Sequence, residues 1–229
     1  MSAPAPNHAA PGQQASTWRV YATLVGIALI AGLAIALTHE LTRPLVDDSR
    51  AQLLSAAVLG VLPGAVSYRG YMQTPQGRLA PAPASAPAAA EVFAGFDAAG
   101  RLIGFAIAAD GMGYQDRIAL LYGLDPAAGV LLGLQVLESR ETPGLGARIV
   151  DDEDFLGNFR GLALRFDDDS GLHPLRLAGR QRGEAGRIDG ITGATVSARA
   201  VVQIVNASLA HWLPRLRAEL DAIAAADHG

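Results

Sequence analysis

A run of eighteen apolar residues without a charge, Val20 to Leu37, is the strongest hydrophobic pattern in the chain. At about 1.5 Å of helical rise per residue the run spans roughly 27 Å, close to the ~30 Å hydrocarbon core of a bilayer. We therefore predict a transmembrane helix over residues 18–40. Residues 1–16 carry no charged side chain and are rich in Ala and Pro, so we predict a disordered tail over residues 1–17.

A cleaved signal peptide is the alternative interpretation of this segment. Ala34-Ile35-Ala36 resembles a cleavage site built from small residues. The apolar run is longer than the usual ~7–15 residues of a signal-peptide core, and the leader before it is long, which favours an uncleaved anchor. Arg19 lies on one side of the run, and Arg43 and Arg50 on the other, so charge does not fix the orientation.

Beyond the apolar run, the pattern predicts a helical linker followed by an α+β domain. Apolar residues recur at helical spacing up to Leu62, with a break expected near Pro44, and Pro63-Gly64 ends the pattern. Residues 81–90 form a Pro/Ala spacer. We therefore assign residues 41–90 to the linker and spacer.

From about Glu91 apolar and polar residues alternate as they do in β-strands, and helical patterns follow. The order of elements predicts a largely antiparallel sheet with packed helices in one domain over residues 91–213, and a C-terminal helix or tail over 214–229. The predicted strands are Arg101–Ala108, Ile118–Leu124, Val130–Glu138 and Leu162–Phe166, with a hairpin turn at 125–129, a polar loop at 167–187, and helices at Asp151–Phe159 and Val196–Leu213.

Composition excludes several classes of chemistry. Half of the residues are apolar and the net charge is -4, which excludes a wholly disordered chain. The isoelectric point of about 5.7 argues against a nucleic-acid binder. The absence of Cys excludes disulfides, cysteine-held iron–sulfur clusters and thiolate zinc sites, and the absence of Lys excludes Schiff-base chemistry. We expect no metal site.

The sharpest local motif is Asp189-Gly190-Ile191-Thr192-Gly193-Ala194-Thr195, directly before the predicted Val196–Leu213 helix. The backbone N–H groups of a first helical turn lack internal acceptors and favour an anion such as phosphate. Gly193 and Ala194 would let a bulky ligand approach the backbone. An ordinary helix start, with Thr192 or Thr195 as the N-cap, explains the same residues.

A second loop, Glu141-Thr142-Pro143-Gly144-Leu145-Gly146, directly follows a predicted strand. Its Pro and Gly residues predict either a structural turn or a loop that exposes its backbone to a ligand. Gly111-Met112-Gly113-Tyr114 forms a third segment of small residues, between two predicted strands.

Together these segments resemble the G subunit of the Rnf (Rsx) ion-translocating electron-transport complex. DGITGATVSA resembles the flavinylation motif D-x-x-[ST]-G-A-[ST] of FMN-binding domains, with Thr192 where Ser is commoner, and ETPGLG resembles the partner loop of that domain. The C subunit of the sodium-pumping NADH:quinone reductase shares the domain. Gly113-Tyr114-Gln115 lacks the longer Gly-rich form of that subunit, which favours the Rnf family.

The resemblance implies that FMN is joined covalently, through its phosphate, to Thr195 by a separate flavin transferase that uses FAD and magnesium. It further implies cofactor contacts from Thr192, Gly193 and Ala194 near the phosphate, from Thr142 and Leu145 at the flavin ring, and from Tyr114 as a stacking partner. Asp189 serves either recognition by the transferase or the turn itself. His173 is expected to be a surface residue.

The function implied is that of a membrane-anchored electron carrier, with no catalytic residue of its own and no metal. The implied partners are the other subunits of a membrane electron-transport complex, the flavin transferase and membrane lipid, with no nucleic acid. The family places its flavin domain on the periplasmic side of the inner membrane. Two alternatives stay open: the flavin subunit of a sodium-pumping quinone reductase, and an anchored extracytoplasmic binding or assembly module without a redox cofactor.

Overall fold

The computed structural model describes residues 13–75, 77–83, 90–167, 171–178 and 184–225. It divides into two units, Met1–Arg50 and Ala51–Gly229. Most of the predicted tail, the middle of the Pro/Ala spacer, parts of the polar loop and the last four residues lie outside the described residues.

Helix α1, Gln13–Val61, supplies the described part of the first unit. Its stretch Trp18–Thr42 has a mean hydropathy of 2.4 and none of it is buried, so its length and composition are those of a membrane anchor or a signal sequence. Residues 13–17 are helical, whereas we predicted a tail there. The break expected near Pro44 is wrong, because the helix continues through this residue.

The second unit is built on a seven-stranded sheet in the order β2-β1-β3-β4-β5-β6-β7, and every pairing in it is antiparallel. Its strands are β1 Ser67–Gln73, β2 Leu79–Pro81, β3 Val92–Phe96, β4 Leu102–Met112, β5 Arg117–Asp125, β6 Val130–Ser139 and β7 Leu162–Ala163. The predicted α+β class, the antiparallel sheet and the hairpin at 125–129 are confirmed.

Two strands differ from the sequence prediction. β1 and β2 lie in the segment that we assigned to the linker and spacer; only Tyr71 of β1 is buried, so this strand shows no apolar alternation. The predicted strand Leu162–Phe166 shortens to two residues, and Phe166 instead forms an isolated bridge with Leu172.

Both faces of the sheet are covered, each by its own apolar core. On one face the sheet packs against helix α3, Thr195–Ala225, in a cluster that includes Phe105, Ile107, Leu120, Tyr122, Val201, Val205 and Leu209. On the other face it packs against the last turns of α1, in a cluster that includes Ala57, Val58, Val61, Phe93, Ala106 and Leu121. Alternate residues of β4 and β5 therefore serve opposite cores.

The remaining elements are a short helix, a pair of parallel strands and the C-terminal extension of α3. The predicted short helix is confirmed as α2, Glu153–Gly157, capped by Asp152. The predicted polar loop contains β8, Arg176–Ala178, which pairs in parallel with β9, Arg187–Asp189. α3 continues past Pro214, beyond the predicted end at Leu213, and the Glu219 carboxylate on this extension accepts a hydrogen bond from the Leu79 N–H at 3.1 Å.

A buried carboxylate joins two loops to α3. Glu141, 5% exposed, accepts hydrogen bonds from the Ser197 hydroxyl at 2.6 Å and the Gln115 N–H at 2.9 Å. A Cβ on Gly146 would lie 2.5 Å from the carboxylate, and one on Gly113 would overlap with it. Glu141 thus fixes the 113–116 loop, the 141–146 loop and the first turn of α3 against one another.

These hydrogen bonds keep Glu141 ionised. Burial favours the neutral form, but the hydrogen bonds from Ser197 and from the backbone N–H groups of Gln115, Asp116 and Tyr114 outweigh it, so its pKa lies below the ordinary value of 4.5. A carboxyl with a lowered folded-state pKa stabilises the fold above its unfolded-state pKa and loses this contribution as the pH falls through the folded-state pKa.

We expect Glu141→Ala to lower the free energy of unfolding by about 3 kcal/mol at pH 7, because it leaves the buried Ser197 hydroxyl and the part-buried Gln115 N–H unpaired. Glu141→Gln should be destabilising at pH 7, with a difference from wild type that narrows below pH 4.5. Urea unfolding in detergent, followed by Trp212 fluorescence, measures both effects. The exposed Glu138→Gln is the matched control. A Glu141→Gln effect of equal size at pH 7 and pH 3 would contradict the account.

Candidate functional site

The motif 189–195 forms the junction between β9 and α3. Gly193 has a φ of 85°, in the left-handed region that favours glycine, and the Ala194 N–H donates to the Ile191 carbonyl at 3.0 Å. Thr195 is the first helical residue and its side chain is exposed. Its hydroxyl meets only the Ile191 carbonyl, at 3.5 Å, the outer limit of a hydrogen bond.

The alternative interpretation, a threonine N-cap, does not match this geometry. Within the described residues, no backbone N–H donates to the hydroxyl of Thr192 or Thr195, and α3 begins at Thr195 rather than after it. The first turn of α3 therefore presents its N–H groups without a side-chain cap, the arrangement that favours an anion.

The Glu141–Gly146 loop is an ordered turn that leads into a 3-10 helix, Gly146–Val150. The Thr142 hydroxyl donates to the side-chain Oε1 of Gln115 at 2.8 Å, and the Leu145 and Ala147 N–H groups both donate to the Thr142 carbonyl. Gly144 has a φ of 75°, which a larger residue would adopt only with strain. The loop is therefore joined to the 113–116 loop through Thr142 as well as through Glu141.

Exposed apolar side chains mark the three joined segments. Met112 and Tyr114 are each 71% exposed, Leu145 is 55% exposed and Val196 is 52% exposed. Single exposed apolar residues are common on protein surfaces, but these four stand on segments that Glu141 holds together. They offer apolar surface on segments that are joined to the first turn of α3, and such surface suits a flat aromatic ligand.

Arg148, on the 3-10 helix, binds the turn of the motif 189–195. Its guanidinium donates to the Thr192 carbonyl at 2.9 Å and pairs with the Asp152 carboxylate at 2.8 Å. Sequence reasoning missed this role, because Arg148 and Thr192 are 44 positions apart and no local pattern links them. It also missed Glu141 as an anchor, although an acid in a Gly-rich loop directly after a strand is a usable signal.

A surface cavity of about 690 Å³ opens beside Thr195. One face of α3 lines it, together with β8 and residues 190–192. Its volume falls within the range of roughly 300–1,000 Å³ that is usual for cofactor sites. His173 does not line it; this residue is partly exposed and pairs with Asp167. Among the described residues there is no cluster of His, Asp and Glu suited to a metal ion.

Of the predicted site residues, the structure brings Thr195, Thr192, Gly193 and Ala194 into one turn. It places Tyr114, Thr142 and Leu145 on the two loops that are fixed to the first turn of α3. The exposed hydroxyl, the uncapped first turn and the apolar surface fit a phosphorylated aromatic cofactor such as a flavin nucleotide.

Comparison with known proteins agrees with this geometry. The family model described as the FMN-binding domain matches residues 113–210, which include every predicted site residue. The solved structure of Shewanella oneidensis NqrC superposes with a TM-score of 0.59, at 21% identity, over 75% of this chain and 97% of that protein. The two therefore share a fold.

Several relatives that align over most of their length are G subunits of ion-translocating complexes. The G subunit of the ion-translocating oxidoreductase complex of Pseudomonas aeruginosa is 31% identical over 83% of this chain and 86% of the relative. That of Methanosarcina acetivorans is 28% identical over 83% of this chain and 92% of the relative. The G subunit of the Na(+)-translocating ferredoxin:NAD(+) oxidoreductase complex of Acetobacterium woodii is 27% identical over 80% of this chain and 85% of the relative. The chain thus belongs to the family of G subunits of Rnf-type ion-translocating oxidoreductase complexes, and it carries an FMN-binding domain.

Proposed function

We propose that the chain is a membrane-anchored electron carrier in such a complex and that its FMN is attached covalently to Thr195. The observation that carries the proposal is the exposed Thr195 hydroxyl at an uncapped helix start, within a motif that resembles the flavinylation sequence. FMN supplies the redox chemistry when bound, and the protein supplies its position and surroundings.

Attachment requires an accessible hydroxyl and a donor of the flavin. In the proposed transfer from FAD, the Thr195 oxygen bonds to the phosphorus on the FMN side, the phosphoanhydride bond breaks and AMP leaves. The hydroxyl proton passes to a base of the transferase. Small residues around Thr195 leave room for that enzyme, since a Cβ on Gly193 would meet no atom within 4 Å.

The attached phosphodiester keeps one negative charge. The first turn of α3 favours that charge, because its N–H groups lack a side-chain cap and the helix dipole is positive there. The ring has apolar surface available at Leu145 and Tyr114, the residues expected from the sequence, and at Met112 and Val196, which were not expected. Thr142 lies on the same loop as Leu145; its hydroxyl donates to Gln115 and keeps an acceptor lone pair for an N–H at the ring edge.

We further propose that α1 is an uncleaved anchor in the inner membrane and that the flavin domain lies in the periplasm, in contact with lipid and with the other subunits of the complex. Two of the three threonines in the stretch Trp18–Thr42 support an inserted helix. Thr23 and Thr38 donate to the Arg19 and Ala34 carbonyls, each at 2.8 Å, so neither hydroxyl needs water. A covalent cofactor would not be lost from a periplasmic domain.

We expect Thr195→Ala to abolish covalent flavin while leaving the fold intact, because alanine removes the acceptor oxygen and keeps helix propensity. Thr195→Ser should retain some modification. In-gel flavin fluorescence after denaturing electrophoresis of protein made with the transferase measures this. Thr192→Ala, which removes the neighbouring hydroxyl, is the control and should remain labelled. Flavin fluorescence retained by Thr195→Ala would contradict the assignment of the attachment to Thr195. A colourless wild type would favour a binding module without flavin.

We expect Thr142→Val to keep the flavin label but to change the flavin midpoint potential, because hydrogen bonds near the ring tune its potential. Thr142→Ser keeps the hydroxyl and should behave as wild type. A redox titration of labelled proteins measures the shift. If the loop is only a structural turn, Thr142→Val will leave both the midpoint and the absorption spectrum unchanged.

We expect a reporter that matures only in the periplasm to be active when it is fused after Gly229, because the proposed orientation places the C-terminal domain there. N-terminal sequencing of the mature protein should find the original N-terminus. A mature chain that begins near Leu37 would show that the apolar run is a cleaved signal peptide instead.

A further inference from the structure

The face of α3 that carries Thr195 also carries Arg199, one helical turn further on. Residues four apart on a helix are neighbours, with Cβ atoms about 5–6 Å apart. Both residues line the cavity beside the motif, and Arg176 of β8 lines it as well. Two arginine residues therefore border the same cavity as Thr195.

The charge of this cavity differs from that of the chain as a whole. The chain has a net charge of -4, yet the lining of the cavity contains two arginines and no Asp or Glu among the described residues. Within the same described ranges, neither the Arg176 nor the Arg199 side chain makes a hydrogen bond or an ion pair, whereas Arg148 and Arg187 are both paired with carboxylates. The cavity thus offers two uncompensated cations.

A pair of hydrogen bonds fixes the strand that carries Arg176 against the helix that carries Arg199. The Asn206 side chain, on the same face of α3, accepts a hydrogen bond from the Leu175 N–H at 2.8 Å and donates one to the Leu175 carbonyl at 2.9 Å. Arg176 is the next residue, so this two-bond link fixes the start of β8 against α3. The backbone positions of Arg176 and Arg199 on either side of the cavity are therefore set by the fold.

We propose that Arg199 and Arg176 form an anion subsite for the phosphoryl group esterified to Thr195. The inference rests on the proposed function and deepens it, by naming the residues that hold the linking phosphate. Guanidinium groups suit this task, since their N–H donors match phosphate oxygens. Both act as positioning residues: they fix the phosphodiester and limit the directions in which the tethered flavin leaves the helix.

The test is ³¹P NMR of the labelled full-length chain in detergent, with Arg199→Gln, Arg176→Gln and Arg199→Lys as variants. Arg101→Gln, which removes an exposed arginine outside the cavity lining, is the matched control. We expect the phosphodiester resonance of Arg199→Gln and Arg176→Gln to move toward its position in the urea-unfolded protein. Arg199→Lys keeps the positive charge, so its phosphodiester resonance should lie between those of Arg199→Gln and wild type. Resonances of both glutamine variants that coincide with wild type would overturn the proposal.

A second arm separates the linking phosphate from the donor nucleotide. If the arginines serve only to bind FAD during transfer, Arg199→Gln will be labelled more slowly by the purified transferase but will show the wild-type ³¹P resonance once labelled, and the proposal is then wrong. Circular dichroism checks that each variant is folded.

A third arm does not depend on covalent attachment. The unmodified chain, made in a host without the transferase, is titrated with inorganic pyrophosphate by calorimetry. Arg199→Gln should bind at least about tenfold more weakly than wild type, as expected for a lost charge-assisted hydrogen bond. If wild type carries no flavin label even when it is made with the transferase, but still binds pyrophosphate more tightly than Arg199→Gln, the attachment at Thr195 is wrong and the anion subsite stands. Equal binding by wild type and Arg199→Gln would remove the subsite.

Discussion

The buried carboxylate of Glu141 is the constraint on which the candidate site depends. Its two oxygens hold the Gln115 N–H and the Ser197 hydroxyl, so two loops and one helix start are fixed by a single side chain. The cost of burying a charge is offset because every contact is a hydrogen bond to the ionised form. Together with the Thr142–Gln115 and Arg148–Thr192 hydrogen bonds, it holds the residues expected to contact a flavin ring and the residue expected to carry it in one frame.

This frame assigns different tasks to neighbouring segments. The first turn of α3 presents a hydroxyl and uncapped N–H groups, which suit a phosphate. The two loops present apolar surface and the Thr142 hydroxyl, which suit a ring. Because the attachment point and the expected ring contacts lie on different segments, substitutions in the loops can change the flavin midpoint potential while the covalent attachment stays the same. Arg148 stabilises the turn between them by binding the Thr192 carbonyl.

Local sequence carried much of this information, and contacts between distant residues carried the rest. The apolar run, the 125–129 hairpin, the long helix and the motif 189–195 are each readable from adjacent residues. β1 was missed because only one of its residues is buried. The sequence left residues 214–229 open as a helix or a tail, because the contact that holds this extension of α3 joins Glu219 to the Leu79 N–H, 140 positions away. The partners of Glu141 lie 26 and 56 positions away, so its role becomes visible only in the fold.

The central claim is that Thr195 carries the flavin, and peptide mass spectrometry of the native protein tests it most directly. Trypsin cleaves after Arg187 and Arg199 and so releases residues 188–199, a fragment that holds the hydroxyls of Thr192, Thr195 and Ser197. The account predicts that this fragment carries one FMN and that fragmentation assigns it to Thr195. An unmodified fragment from a host that contains the transferase, or an FMN on Thr192 or Ser197, would contradict it.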